Sequence, residues 1–183
     1  SSQMGSSDLK ITISTPDSIV DGNLIVHNYA AGEQNNIVLA DKLKATGDIS
    51  IINEEANVSV GTYADISAKN ITFQATNYNN VVMTGGQLTA TEKVRFDGND
   101  VIVSGGNIES ATAELIAADD ISMSGGDIHT TTTTELIAAD DISLNNGRIK
   151  SATAILNANG TTDNDNNGSA ITEGDSFVLD IDD

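Results

Sequence analysis

The sequence lacks several residue types on which large classes of protein depend. It has no cysteine, so disulfides contribute nothing to its stability and the redox compartment is left open. Eight basic residues against 27 acidic ones give a formal net charge of −19, which argues against binding to nucleic acids or anionic membranes. This acidity instead favours divalent cations or cationic partners. No apolar run approaches the roughly 18 residues of a membrane-spanning helix.

Residues suited to catalysis or sugar binding are also scarce. Aromatic residues make up 3% of the chain, which disfavours carbohydrate binding because sugar sites usually rely on aromatic platforms. There is no phosphate loop, nucleophile elbow or His/Cys ligand set. Lys93, Lys150 and His129 have no partner at a recognisable spacing, and His27 stands alone in a polar loop. We therefore expect the protein not to be an enzyme, with a polysaccharide-active enzyme as the less favoured alternative.

Residues 81–159 repeat themselves with a period of 20 or 21. Each repeat has apolar residues at alternating positions, a glycine pair, and then Leu or Ile two residues later, which is typical of strand, turn and strand. The glycine pairs begin at Gly85, Gly105 and Gly125, and Asn146 with Gly147 holds the fourth place. Because Asn tolerates a positive φ better than other non-glycine residues, the first position of each pair is predicted to be left-handed.

The repeats predict an all-β fold, a single-stranded parallel β-helix (β-solenoid) with right-handed winding as the default. We count about six coils of 20–23 residues, starting near residues 37, 58, 81, 101, 121 and 142. The chain then divides into an N-terminal capping or joining segment (1–36), the coils (37–160) and an acidic turn with a last strand (161–183). Residues 19–26 fit either a short hairpin or a first irregular coil. Open β edges polymerise unless they are capped, so the terminal strands are candidates for caps. They are equally candidates for joints between subunits.

Two acidic segments could bind calcium. The regular coils end in 99–100, 119–120 and 140–141, and stacking would place these carboxylates in columns about 4.8 Å apart, as solvated turns or as ligands of a shared Ca²⁺. Residues 163–168 resemble the EF-hand or dockerin-type calcium loop, with Asp163, Asp165 and Asn167 at alternate positions before a glycine. Gly174 stands where that family has its glutamate, so Glu173 or Asp175 would have to close the site. The alternative is a plain Asn/Asp linker.

A run of small hydroxyl residues follows each glycine pair. It comprises Thr89, Thr91, Ser110, Thr112, residues 130–134, Ser151 and Thr153. Strand propensity alone accounts for these residues, which would stack as ladders along a parallel sheet. A flat threonine surface that binds carbohydrate or ice is the other interpretation.

The coils at 101–120 and 121–141 resemble those of filamentous-haemagglutinin-type bacterial adhesins, over about residues 81–160. That resemblance implies a secreted or cell-surface bacterial protein used for adhesion or scaffolding. We therefore expect a non-enzymatic extracellular structural protein that self-assembles end to end through its terminal strands into a surface filament or matrix. The alternative is a bacterial adhesin module that binds a host surface, either a glycan or a protein.

Overall fold

A computed structural model describes residues 9–11, 19–29, 36–158 and 170–181, of which 9–11 are described by their backbone alone. These residues contain no helix that could cross a membrane. The strands are β1 (Leu9–Ile11), β2 (Leu24–Asn28), β3 (Ile37–Leu39), β4 (Lys42–Lys44), β5 (Ile49–Asn53), β6 (Val58–Val60), β7 (Asp65–Ala75), β8 (Val81–Met83), β9 (Gln87–Gly98), β10 (Val101–Val103), β11 (Asn107–Ala117), β12 (Ile121–Ala138), β13 (Ile142–Ser151), β14 (Thr153–Ala158) and β15 (Ile171–Ile181).

The fold is the predicted β-solenoid of about six coils. Strands that begin at residues 37, 58, 81, 101, 121 and 142 lie side by side in parallel and in register, so the predicted coil starts are confirmed. The alternation of apolar and polar residues explains this stacking, because each strand must turn one row of side chains into a shared core. No coil could bury that row without its neighbours.

The coils have three faces, which we name A, B and C. Face A contains residues 9–11, 37–39, 58–60, 81–83, 101–103, 121–123, 142–144 and 171–173. Face B contains 42–44, 65–68, 87–90, 107–110, 127–130, 148–151 and 178–181. Face C contains 24–28, 49–53, 71–75, 94–98, 113–117, 134–138 and 153–158. The longer strands turn the corner from B to C with a shift of register.

The core consists of apolar columns that run along the solenoid axis. One column of face A contains Ile37, Val58, Val81, Val101, Ile121 and Ile142, each 0% exposed. On face C, Phe73 stacks on Phe96 of the next coil with ring centroids 5.6 Å apart. The buried apolar side chains of the described coils belong to one continuous cluster along the solenoid axis.

Both terminal segments join the same sheet. β1 pairs in parallel with β3, and β2 pairs in parallel with β5, so residues 19–28 form part of a coil and not a hairpin. At the other end β15 pairs in parallel with β13 and continues faces A and B. The Asp21–Gly22 turn makes no hairpin because the segments on its two sides pair in parallel with different parts of the next coil. Val20 pairs with Ala45, and Leu24 pairs with Ile49 on face C.

The prediction about the glycine pairs is wrong in its position. Positive φ falls on the second residue of each pair, at Gly86, Gly106, Gly126 and Gly147, with values from 85° to 107°. The first residue is a close-approach site instead, since a Cβ at Gly105 would lie 2.8 Å from the carbonyl oxygen of Thr84 in the preceding coil. Asn146 therefore does not owe its place to tolerance of a left-handed backbone.

Candidate functional site

A ladder of Asn and Asp side chains runs along the corner between faces C and A. At each rung the side-chain oxygen accepts a hydrogen bond from the backbone N–H of the equivalent residue in the next coil. The rungs join Asn36 to Asn57 (3.1 Å), Asn57 to Asn80 (2.8 Å), Asn80 to Asp100 (3.0 Å), Asp100 to Asp120 (3.4 Å), Asp120 to Asp141 (3.0 Å) and Asp141 to Ala170 (2.7 Å). The ladder satisfies a backbone donor at each turn, where strand pairing alone cannot.

In the C-terminal half of this ladder the rungs are Asp100, Asp120 and Asp141, and Asp119 and Asp140 lie next to the last two. We call these five residues the acidic corner. One carboxylate oxygen from each of Asp100, Asp119 and Asp120 lies within 4.8 Å of the others. Asp140 is the buried member, at 4% exposure. The stacking therefore brings together the carboxylates that the sequence predicted would form a column.

Electrostatics at the corner raise the pKa of one carboxyl, that of Asp120. Burial raises the pKa of Asp120, and the charges of Asp119, Asp100 and Asp140 raise it further. The backbone hydrogen bond from Asp141 acts in the opposite direction but does not cancel these effects. Since Asp120 is repelled by its neighbours, either a proton or a cation would relieve the corner.

The corner has part of what a calcium site requires. Ca²⁺ binds oxygen at roughly 2.3–2.6 Å and takes about six to eight ligands. Three carboxylates within 4.8 Å could share one ion, but other oxygens would have to complete its shell. Acidic corners of this kind also exist as solvated turns, and calcium here stays a prediction.

The predicted calcium loop is described only at its C-terminal edge. Asp163, Asp165 and Asn167 lie outside the described residues. Glu173 and Asp175 lie in β15, where both are exposed, and Glu173 pairs with Leu144 on face A. These two carboxylates therefore belong to an extended strand, and the calcium prediction for the loop remains untested.

The hydroxyl residues do not form one flat surface. Ser110, Thr130 and Ser151 point into the solenoid at the corner between faces B and C and are buried. The Thr130 hydroxyl hydrogen-bonds both Thr134 (2.9 Å) and Ser151 (2.7 Å), and the Ser151 hydroxyl donates to the carbonyl of Thr153 (2.7 Å). This part of the hydroxyl run closes a corner of the core, so its role is structural.

The sequence reasoning missed the ion pairs that join neighbouring coils. Lys93 pairs with Glu114 of the next coil, and Arg95 contacts both Glu114 of that coil (3.2 Å) and Asp97 of its own strand (2.8 Å). Burial alone would raise the pKa of Glu114, but the hydrogen bonds and charges of Lys93 and Arg95 outweigh it and lower that pKa. The statement that Lys93 has no partner was therefore wrong, because its partner lies one coil period away.

The histidine placed alone in a loop was also misjudged. His27 lies in β2, with its Nε2 2.6 Å from Glu54 Oε1 in the next coil and its ring edge-on to Tyr29. Glu54 lies 27 residues from His27, outside the 20–23-residue interval of the regular coils, so the repeat gave no signal for this pair. Its neighbours give His27 a structural position on face C.

The last coil exposes side chains that continue the core columns. Ile171 pairs with the buried Ile142 and is 45% exposed, and Leu179 pairs with the buried Ile149 and is 40% exposed. Ile181 follows Ser151 in its column and is 45% exposed. The last described coil thus exposes three apolar side chains in line with buried columns, which we call the end surface (Ile171, Leu179 and Ile181). The column of Leu144 ends instead in the exposed carboxylate of Glu173.

Comparison with known proteins gives no relative: no family model, curated protein or solved structure matches the chain. The resemblance of residues 81–160 to filamentous-haemagglutinin-type repeats stays a prediction.

Proposed function

We propose that this protein is a non-enzymatic extracellular building block that associates end to end with a second copy of itself. The observation that carries the proposal is the end surface. Interior members of the same columns, such as Ile142 and Ile149, are 0% exposed, whereas their continuations in the last coil are 40–45% exposed. A second copy stacked on this end would bury them as the interior coils bury theirs.

The apolar area supports an appreciable free energy of association. Burying an Ile or Leu side chain completely contributes roughly 1.5–3 kcal/mol, so the half-exposed residues of the end surface would contribute about 1 kcal/mol each. These contributions are modest singly, and the backbone must supply part of the remainder.

The backbone at this end is suited to adding a strand. Within the described residues, β15 pairs with β13 and β14 pairs with β12, so each has a partner on one edge. An unpaired parallel edge offers a row of N–H and C=O groups to a further strand. At the opposite end β1 and β2 likewise pair on one edge each, with β3 and β5. Stacking of two copies would continue the same parallel ladders.

Net charge opposes this association and makes it depend on salt. Each copy carries a formal charge of −19, so two copies repel each other at low ionic strength. Salt at about 0.15 M shortens the screening distance to about 8 Å and weakens that repulsion. We therefore expect assembly to increase with salt, which is opposite to the behaviour of a complex held by ion pairs.

A non-enzymatic role is supported by the regularity of the charged groups. Among the described residues, several cations pair with carboxylates of neighbouring coils, as in Lys69 with Glu92 (3.3 Å) and Arg148 with Asp180. Such pairs hold coils together and recur along the stack. The extracellular location is supported by the resemblance of the repeats to surface adhesins.

The test combines sedimentation velocity with electron microscopy over a range of protein and salt concentrations. We expect the unmodified protein to form chains whose length increases with both, and Leu179→Lys to remain monomeric. Tyr63→Lys is the matched control, because Tyr63 is 85% exposed in a turn away from the ends, and this variant should still assemble. Monomers of the unmodified protein at every concentration and salt would refute the proposal.

A mixing experiment excludes misfolding as the reason for the Leu179→Lys result. This variant keeps its N-terminal end, so a small fraction of it should cap growing chains and shorten those of the unmodified protein. An unfolded variant would leave chain length unchanged. Shortening by Tyr63→Lys to the same extent would contradict the end-to-end arrangement.

A further inference from the structure

The turn at residues 76–79 places a tyrosine where the backbone favours glycine. The Asn79 N–H donates to the Thr76 carbonyl at 3.2 Å, and the two central residues, Asn77 and Tyr78, have φ of 55° and 64°. Two left-handed central residues define a turn of type I′, in which Asn–Gly is the preferred pair. Within the described residues, these are the two non-glycine positions with a positive φ.

Asn77 has local compensation for this conformation, and Tyr78 has little. Asn tolerates the left-handed region, and Asn77 Nδ2 also donates to the Glu54 carbonyl at 2.8 Å. Tyr78 is an unfavourable residue in that region, and its side chain is 92% exposed, so packing does not offset the strain. Strain that a structure does not need for stability is a reason to look for a function at that position.

Tyr78 is one of the residues that line an open cavity of about 380 Å³. Its polar lining includes Thr76, Asp97 and Asn99, while Gly98 and Ala118 leave its floor free of large side chains. The wall is fixed in place, because the Asn99 N–H donates to the Asn79 carbonyl at 2.7 Å and Arg95 holds Asp97 at 2.8 Å. Tyr78 and these polar groups therefore border one concavity, whose polar wall is held by a backbone hydrogen bond and an ion pair.

We propose that this cavity binds one neutral hexose unit of a glycan, with the Tyr78 ring as its platform. The C–H face of a pyranose packs on an aromatic ring, and the hydroxyl groups around its rim need donors and acceptors of the kind that Asp97 and Asn99 supply. The carboxylate of Asp97 and the net charge of −19 disfavour an acidic sugar. A docked protein would need an apolar patch, whereas the single ring here has polar neighbours.

This site is independent of the proposed end-to-end association. Tyr78 lies at a turn between β7 and β8, several coils from the end surface, so chains would display one such site per subunit. Loss of one property should leave the other intact. A variant that lacks sugar binding but still assembles would separate the two.

The test is a glycan array of neutral and of acidic oligosaccharides, followed by NMR titration with the best neutral binder. We expect binding of neutral glycans, at least about a tenfold weaker affinity for Tyr78→Gly, and retention of binding by Tyr78→Phe. Tyr63→Gly is the control, since Tyr63 is equally exposed but has no positive φ, and it should bind as the unmodified protein does.

Stability supplies a second readout that a failure to fold cannot imitate. Tyr78→Gly should raise the midpoint of urea denaturation, because glycine relieves the strained φ, while the same variant loses the sugar. The proposal is overturned by unchanged sugar affinity in Tyr78→Gly or by a lower midpoint of that variant. It is overturned equally if the unmodified protein binds no neutral glycan at millimolar concentration, or binds acidic glycans in preference to neutral ones.

Discussion

Three glycines separate backbone strain from the crowding between coils. A Cβ at Gly22 would have nothing within 4 Å, but its φ is +101°, so Gly22→Ala tests strain alone. Gly105 lacks a positive φ, but a Cβ there would lie 2.8 Å from the Thr84 carbonyl oxygen, so Gly105→Ala tests crowding alone. Gly106 combines both, with φ +91° and a Cβ 2.6 Å from the carbonyl carbon of Gly85.

The expected losses follow from these contacts. A left-handed alanine costs roughly 1–2 kcal/mol, and the loss of glycine's freedom in the unfolded chain returns about 0.4–1 kcal/mol. Gly22→Ala should therefore lower the free energy of unfolding by about 0.5–1 kcal/mol. Forcing backbone atoms apart costs about 1–3 kcal/mol more, which gives about 2–4 kcal/mol for Gly106→Ala and an intermediate loss for Gly105→Ala.

Urea denaturation monitored by circular dichroism measures these differences through the transition midpoint, provided that the m-value is unchanged. Equal losses for Gly22→Ala and Gly106→Ala would show that the spacing of coils does not limit side chains at the glycine pairs. A neutral Gly105→Ala would refute the close-approach role assigned to the first glycine.

The remaining predictions concern charge and metal. Because the pKa of Asp120 is raised, the native state binds more protons than the unfolded chain between the ordinary Asp pKa and the raised one, so this group's contribution to stability falls as pH rises through that window. Asp120→Asn keeps the ladder acceptor and should raise the free energy of unfolding, measured by urea denaturation, by about a few tenths of a kcal/mol at neutral pH. The gain is small because solvent screens this exposed group, and it should vanish in acid. The pKa of Glu114 is lowered, so its contribution is present above the ordinary Glu pKa and is lost as pH falls through the folded one; Glu114→Gln should cost about 1 kcal/mol at pH 7, and no loss there would show that the ion pairs with Lys93 and Arg95 are not formed. EDTA should lower the melting temperature, and Asp163→Ala combined with Asp165→Ala should remove that sensitivity; unchanged melting in EDTA would exclude the predicted calcium loop.

The architecture could be predicted because each repeat consists of residue types whose polarity and backbone preferences determine local structure. Alternating Val, Ile and Leu define strands, and the fixed 20–23-residue interval forces equivalent strands into the same face. The coil starting at Val58 was recoverable even where the glycine pair is absent, since the apolar alternation persists there.

What escaped prediction depends on geometry between coils. The partner of Lys93 is 21 residues away, which is one coil period, so it becomes visible only when side chains of successive coils are compared. The partner of His27 is 27 residues away, outside that period. Tyr78 was missed because a tyrosine in a left-handed turn contradicts turn preferences, and sequence alone assigns it to an ordinary loop.

End-to-end association is the central claim, and the axial repeat of the assembled protein tests it most directly. Face A has eight strands among the described residues, so one subunit should advance a fibre by about 38 Å at about 4.8 Å per strand. Power spectra from cryo-electron micrographs should show both spacings along the fibre axis. Fibres whose 4.8 Å spacing runs across that axis, or particles that never exceed one subunit, would contradict the account.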